Sequence, residues 1–127
     1  MGRRPQGGLP PPLERDIQAA VVEHWQLLGL PNTLVAAIPN ANAHGQPGLT
    51  KGLPDLLIIG PELPGGFGCA GYIELKRDMY AKRTDAQTKF ANLCGKLSIP
   101  YAVTFGRDQP IRLLEDWGVV RPARAAA

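Results

Sequence analysis

Hydrophobic positions recur with helical spacing in two long segments of the chain. Between residues 13 and 28 they follow a repeat of about 3.6 residues, after which Gly29 and Pro31 act as helix breakers. A second helix is predicted over residues 85–97, where apolar side chains again share one face and Pro100 follows shortly afterwards. Both segments therefore predict amphipathic helices that cover a core.

Shorter apolar segments have the pattern of β-strands. Residues 55–59 (DLLII) end in a continuous apolar run, and in AGYIELK (70–76) apolar and polar residues alternate as in a half-buried strand. Prolines and glycines between these two segments predict a tight turn, so we expect them to form a hairpin. Residues 100–106 predict a third strand, and residues 111–117 predict a short final helix.

The order of these elements is helix, strand, strand, helix, strand and short helix. This order predicts an α/β fold with a mixed sheet that helices flank on both sides. At 127 residues the chain is long enough for one core, so we expect a single domain over residues 13–120. The Gly, Pro and Arg-rich residues 1–12 predict a flexible arm, and residues 121–127 predict a frayed tail.

Composition is that of an ordinary globular protein, with 44% hydrophobic and 20% charged residues. The sequence has neither an apolar run of membrane-spanning length nor a signal-peptide pattern, so we expect a cytoplasmic protein that has no membrane partner. Cys69 and Cys94 lack metal-site or disulfide spacing and are interpreted as small core residues. No motif indicates an organic cofactor.

Basic residues are concentrated in the second half of the chain. Six of the 14 Lys and Arg residues follow one another closely there: Lys76, Arg77, Lys82, Arg83, Lys89 and Lys96. Such a cluster can bind a polyanion such as DNA, although a solvated helix face carries the same pattern. The neighbouring chemistry favours the first interpretation.

Three charged residues are predicted to meet at one end of the hairpin. Glu74 and Lys76 lie two positions apart in a strand and therefore project from the same face, and Asp55 opens the strand that pairs with theirs. Two neighbouring carboxylates repel each other unless a cation lies between them, and Mg²⁺ suits oxygen ligands. Lys76 could then hold the attacking water or counter the charge of the transition state. The alternative is that the two carboxylates form structural ion pairs with Lys76, Lys51 or Arg77.

These residues stand in a pattern that resembles the PD-(D/E)xK nuclease motif. Pro54 and Asp55 are followed, after 18 residues, by Glu74, Leu75 and Lys76. The context KGLPDLLI and IELKR, with Gln87 beyond it, resembles the virus-type replication-repair nuclease (VRR-NUC) family over roughly residues 13–105. The resemblance implies a restriction-endonuclease-like core and a metal-dependent nuclease. It further implies a homodimer that cuts branched DNA, like small relatives that are often phage-encoded.

The resemblance also suggests roles for residues outside the central motif. Glu14 would help bind the metal, together with Asp55, Glu74 and the backbone carbonyl of Leu75. Glu14 could equally be an acidic residue that stabilises the first turn of a helix. Gln87 matches the family's helix-borne Gln, but it also completes a capping box that begins at Thr84 (TDAQ).

We therefore predict a Mg²⁺-dependent DNA endonuclease in which Mn²⁺ can substitute. Water is the expected nucleophile, so no covalent intermediate is expected. The residues expected to contact nucleic acid are Lys51, Arg77, Lys82, Arg83, Lys89, Asn42 and His44, although Asn42 and His44 could be ordinary loop residues. The alternatives are an exonuclease acting on ends or flaps, and a DNA-binding module that keeps the fold without turnover.

Overall fold

The computed structural model describes residues 12–39, 48, 50–65 and 69–123. The predicted flexible arm, apart from Pro12, and the last four residues of the predicted tail lie outside the described residues. The elements are α1 (Glu14–Leu28), β1 (Leu34–Ala37), β2 (Leu56–Ile59), β3 (Ala70–Lys76), α2 (Asp85–Lys96), β4 (Tyr101–Phe105) and α3 (Asp108–Asp116). None of the described helices is long and apolar enough to cross a membrane.

The four strands form one mixed sheet in the order β1-β2-β3-β4. β2 pairs antiparallel with β3, which confirms the predicted hairpin, and β1 pairs antiparallel with the other edge of β2. β4 lies parallel to β3, with α2 as the connection between them. A parallel neighbour requires such a crossover, because a short turn can only reverse the direction of the chain.

β1 is missing from the predicted order of elements, so that prediction was wrong at this point. The strand has four residues, LVAA, and two of them are alanines, which have little intrinsic preference for a strand. Its ladder with β2, from Leu34 opposite Ile59 to Ala37 opposite Leu56, is a tertiary interaction that periodicity does not reveal. The final helix is confirmed but begins at Asp108, three residues earlier than predicted.

The apolar core lies between one face of the sheet and the helices α1 and α3. Its fully buried side chains come from every layer: Ile17 and Val21 of α1, Val35 of β1, Leu56 and Ile58 of β2, Ile73 and Leu75 of β3, and Leu114 of α3. α2 covers the opposite face, where Phe90 packs edge-on against Tyr72 at 5.1 Å and lies 6.1 Å from the ring of Tyr101. Helices therefore flank the sheet on both sides, as predicted.

The two cysteines differ in their environments. Cys94 is buried, as predicted, and burial raises the pKa of its thiol. Cys69 is exposed just before β3, so its interpretation as a core residue was wrong. Both thiols are free.

Candidate active site

Asp55 lies at the point where β2 begins beside the end of β3. Because Leu56 is opposite Ile73 in the antiparallel ladder, the position of Asp55 falls beside Glu74 at the next step. The Asp55 carboxylate accepts a hydrogen bond of 2.6 Å at Oδ2 from the backbone N–H of Leu75, the residue between Glu74 and Lys76. The backbone carbonyl of Asp55 accepts from the N–H of Ile38, which ties the same residue to the end of β1. The two halves of the predicted motif are thus in direct contact.

The electrostatic surroundings of Asp55 disfavour its charged form. Burial raises the pKa of this carboxyl to about 6, and the negative charges of Glu14 and Glu74 act in the same direction. The Leu75 N–H and the Lys76 ammonium oppose this rise but do not cancel it. Three carboxyl groups from α1, β2 and β3 therefore influence one another, and a cation among them would relieve the repulsion.

Glu74 is completely buried, and each of its carboxylate oxygens has a different environment. Oε1 accepts a hydrogen bond from the hydroxyl of Tyr101. Oε2 lies 3.4 Å from Nζ of Lys76 and 3.4 Å from Nε of Arg83, yet has no hydrogen bond among the described residues. The expected ion pair with Lys76 is present, and Arg83 adds a second one that the sequence did not indicate.

The ammonium group of Lys76 is buried and surrounded by oxygen atoms. Besides Glu74, it contacts Oε1 of Gln87 at 3.1 Å and the backbone carbonyl of Lys82 at 3.3 Å. An ammonium group has three N–H donors, and the Gln87 and Lys82 oxygens accept from two of them. The contact with Glu74 is an ion pair, because Glu74 Oε2 has no hydrogen bond among the described residues. The side chain is therefore held in one place beside Glu74.

Gln87 forms the capping box that the sequence predicted and also contacts Lys76. Its Oε1 accepts from the backbone N–H of Thr84 at 2.8 Å, while Thr84 Oγ1 accepts from the Gln87 N–H at 3.1 Å, which completes the capping box. The same Oε1 accepts from Lys76 Nζ. One side chain thus caps α2 and holds the buried ammonium.

A cleft of about 760 Å³ opens in front of these groups. Its lining includes Glu14, Asp55, Lys51 and Gln87, whereas the buried Glu74 and Lys76 do not line it. One wall is the turn before Asp55, where Gly52 has φ +85° and a Cβ would collide with the backbone of Ala86. Only glycine combines this backbone conformation with so close an approach to α2.

The residues predicted to contact nucleic acid lie in several different environments. Lys51 is exposed on the wall of the cleft, and Lys82 and Lys89 are exposed on and beside α2. Arg77 is half-buried directly after β3. Arg83 is partly exposed and, besides its contact with Glu74, donates to the Tyr101 hydroxyl at 3.4 Å. Asn42 and His44 lie outside the described residues.

Tyr101 is the residue of this cluster that the sequence analysis missed. It opens β4, and the parallel register places it opposite Tyr72, on the face of the sheet that carries Glu74. A tyrosine at the start of an apolar strand is ordinary in a sequence, and its contact with Glu74 depends on the register of a parallel pair. One sequence feature could have indicated this residue. Tyr101 follows the predicted helix α2 and lies at the start of a predicted strand, and a tyrosine buried between two such elements usually needs a hydrogen-bond partner for its hydroxyl.

The donor chemistry fits a hard divalent cation, although a complete shell of acidic ligands is not assembled. In the part of the chain that the structure describes, no group of three or more His, Cys, Asp and Glu side chains is arranged to hold a metal ion. Asp55 and Glu14 line the cleft, and the pKa of Asp55 is raised chiefly by burial, with the negative charges of Glu14 and Glu74 adding to the rise. Buried Glu74 Oε2 has no hydrogen bond among the described residues and is a further oxygen donor.

Comparison with known proteins identifies the fold. No protein-family model and no curated protein matches the sequence. A solved structure described as "VRR_NUC domain" has 24% identity and a TM-score of 0.57, and covers 80% of this chain and 94% of its own. A second, described as "VRR_NUC domain protein", has 21% identity, a TM-score of 0.67 and coverage of 84% and 88%.

The mixed four-stranded sheet and its flanking helices thus define an α/β domain. The chain has the fold of a VRR_NUC domain, as the resemblance of its motifs implied.

Proposed function

We propose that this protein is a metal-dependent nuclease that hydrolyses phosphodiester bonds in DNA. The observation that carries the proposal is the contact network where β2 begins beside the end of β3. Asp55 is bonded to the amide between Glu74 and Lys76, and the Lys76 ammonium lies 3.4 Å from Glu74. A VRR_NUC fold with these three charged groups side by side supports phosphodiester hydrolysis better than a purely structural role.

The metal would be held by the carboxylates of Asp55 and Glu74, with Glu14 and the Leu75 carbonyl as further oxygen donors. Bound there, Mg²⁺ or Mn²⁺ would supply a water of lowered pKa and charge stabilisation at the phosphate. Lys76 contributes a positive charge whose position is set by Gln87 and the Lys82 carbonyl. That ammonium can orient the attacking water and oppose the negative charge that develops on the phosphate.

Exposed basic residues at the rim of the cleft would hold the DNA backbone. Lys51 lies on the cleft wall, and Lys82 and Lys89 are exposed on the neighbouring surface. Contacts of this kind bind phosphates and provide no sequence specificity. We expect affinity to fall steeply as the salt concentration rises.

We further propose that the active form is a homodimer that cuts branched DNA as an endonuclease. One domain carries one cluster of catalytic groups, and symmetric cutting of two strands requires two copies related by a two-fold axis. Light scattering of the purified protein tests the dimer directly. A monomer that cuts only one strand or one end would contradict this part of the proposal.

The central test is cleavage of labelled linear, flapped and four-way DNA with Mg²⁺ or with EDTA. We expect Mg²⁺-dependent products from the wild type, and loss of those products in Asp55→Asn. Asp116→Asn is the matched control, because Asp116 is exposed at the end of α3 and does not line the cleft. Its activity should equal that of the wild type.

Other outcomes of the same assay identify the alternatives. Cleavage of linear and flapped DNA combined with failure to nick covalently closed circles would identify an exonuclease. Binding of DNA without products under any metal condition would identify a non-catalytic DNA-binding module.

A further inference from the structure

Tyr101 contacts the buried Glu74 carboxylate from a strand that carries none of the predicted catalytic residues. Its hydroxyl donates a hydrogen bond to Glu74 Oε1. Burial and this hydrogen bond raise the pKa of the phenol above its ordinary value, so the hydroxyl keeps the proton that it donates. Arg83 approaches from the solvent side, with its guanidinium carbon 5.9 Å from the centre of the Tyr101 ring.

The contact determines how the two Glu74 oxygens are used. A carboxylate can rotate about its last bond, and a donor on one oxygen restricts that rotation. With Oε1 held by Tyr101, Oε2 lies on the side of the Lys76 ammonium, 3.4 Å from Nζ. Oε2 is buried, has no hydrogen bond among the described residues and also lies 3.4 Å from Nε of Arg83, so a metal ion that binds Oε2 would take the place of Arg83.

We propose that Tyr101 is a positioning residue, whose hydroxyl orients the Glu74 carboxylate so that Oε2 is presented to a divalent cation beside Lys76. The proposal rests on the proposed function, in which Glu74 is a metal ligand. Partners that orient a ligating carboxylate typically change metal affinity or activity by about 10- to 100-fold when they are removed. Tyr101 would act through Glu74 and would not touch the substrate.

The test compares Tyr101→Phe with Tyr72→Phe. Both tyrosine rings pack against Phe90 and are opposite each other in the sheet, so each change removes one hydroxyl from the same aromatic cluster. Calorimetric titration with Mn²⁺ should show affinity about tenfold lower or weaker still in Tyr101→Phe, and near wild type in Tyr72→Phe. At limiting Mn²⁺, kcat for DNA cleavage should fall in Tyr101→Phe while KM for DNA stays within about twofold.

The outcomes separate this inference from the proposed function. Equal Mn²⁺ affinity in Tyr101→Phe and wild type would overturn the role of Tyr101, even if the protein cleaves DNA. Weaker Mn²⁺ binding in Tyr101→Phe, in a protein that cleaves no DNA, would support Tyr101 and contradict the nuclease. Absence of Mn²⁺ binding by the wild type would overturn both.

A second variant keeps the proposal testable in case Tyr101→Phe fails to fold. Tyr101→His keeps an aromatic ring and can place an N–H donor near Glu74. Its Mn²⁺ affinity should stay within about tenfold of the wild type, because a donor to Glu74 is retained. Loss of Mn²⁺ binding in a Tyr101→His protein that urea denaturation shows to be folded would overturn the proposal.

Discussion

The two faces of β3 are both buried, but for opposite physical reasons. Ile73 and Leu75 point into the core and are fully buried among apolar side chains, where removal from water stabilises the fold. Glu74 and Lys76 point to the other face and are as deeply buried, although burial of a charge is unfavourable. One face of this strand is therefore stabilised by apolar packing, and the charges on the other face are stabilised by ion pairs and hydrogen bonds.

The helices that cover the two faces differ accordingly. α1 and α3 contribute apolar side chains such as Val21 and Leu114 to the core. α2 presents Gln87, which accepts a hydrogen bond from Lys76. A buried ion pair becomes tolerable when its remaining donors and acceptors have partners, and α2 and its preceding loop provide them.

The largest effect is expected when the positive charge is removed from the polar face. Lys76→Met keeps a long side chain but deletes the ammonium, so kcat for DNA cleavage should fall by about a thousandfold, as for loss of a transition-state donor. Lys96→Met, at the exposed end of α2, is the control and should leave kcat unchanged. Single-turnover assays measure both. A Lys76→Met variant with nearly normal kcat would contradict the proposal that the polar face of β3 carries a group needed for cleavage.

A change on the apolar face should affect stability. Leu75→Ala should lower the free energy of unfolding by about 3 kcal/mol, because it removes a fully buried side chain and leaves a cavity. Leu93→Ala is the control, since Leu93 is 51% exposed and should change stability by less than about 0.5 kcal/mol. Urea denaturation measures both values. A similar loss in the two variants would refute the assignment of the core.

The pH dependence of stability should reveal the unfavourable charge of Asp55. Its pKa is about 6 in the folded protein, against 3.8 as the ordinary value, so the native state holds this proton more tightly than the unfolded chain. The contribution of Asp55 to stability is therefore largest at low pH and is lost as the pH rises from about 4 to about 6. Urea denaturation of the metal-free protein at several pH values should show this loss.

The control for that measurement is Asp55→Asn, in which the free energy of unfolding should change less over the same pH interval. Added Mg²⁺ should also oppose the loss in the wild type, because it binds the charged form. Identical pH profiles for wild type and Asp55→Asn would exclude the raised pKa.

The smallest effect is expected at the helix cap that supports the polar face. Thr84→Ala removes the side-chain acceptor of the Gln87 N–H and should lower stability by about 1 kcal/mol. It should also lower kcat modestly, because Gln87 holds Lys76. Thr88→Ala, an exposed change one turn further along α2, is the control for both measurements. A Thr84→Ala variant with normal stability would show that the cap does not support α2.

Several parts of the fold could be predicted because they depend on neighbouring residues. The alternation in AGYIELK predicted β3 and placed Glu74 and Lys76 on one face, and TDAQ predicted the cap of α2. The missed strand β1 shows the limit of this reasoning. It has only four residues, two of which are alanines with little strand preference, and pairing with β2 stabilises its conformation.

In the candidate site, too, some contacts follow from local sequence and others depend on the tertiary structure. That Asp55, Glu74 and Lys76 would meet followed from strand periodicity and from the pairing of β2 with β3 as consecutive strands of a hairpin. The contact of Gln87 with Lys76 and that of Tyr101 with Glu74 join residues 11 and 27 positions apart. These contacts depend on how α2 crosses the sheet and on the register of a parallel strand.

The amino-acid order alone determined the helices, the hairpin and the side of β3 on which its charges lie, because side-chain direction follows directly from backbone periodicity. Tertiary packing alone decided which groups neutralise those charges and how strongly burial and neighbouring carboxylates raise the pKa of Asp55. The physical reason is that solvation and Coulomb interactions depend on distances in space, which are established only when distant segments pack together.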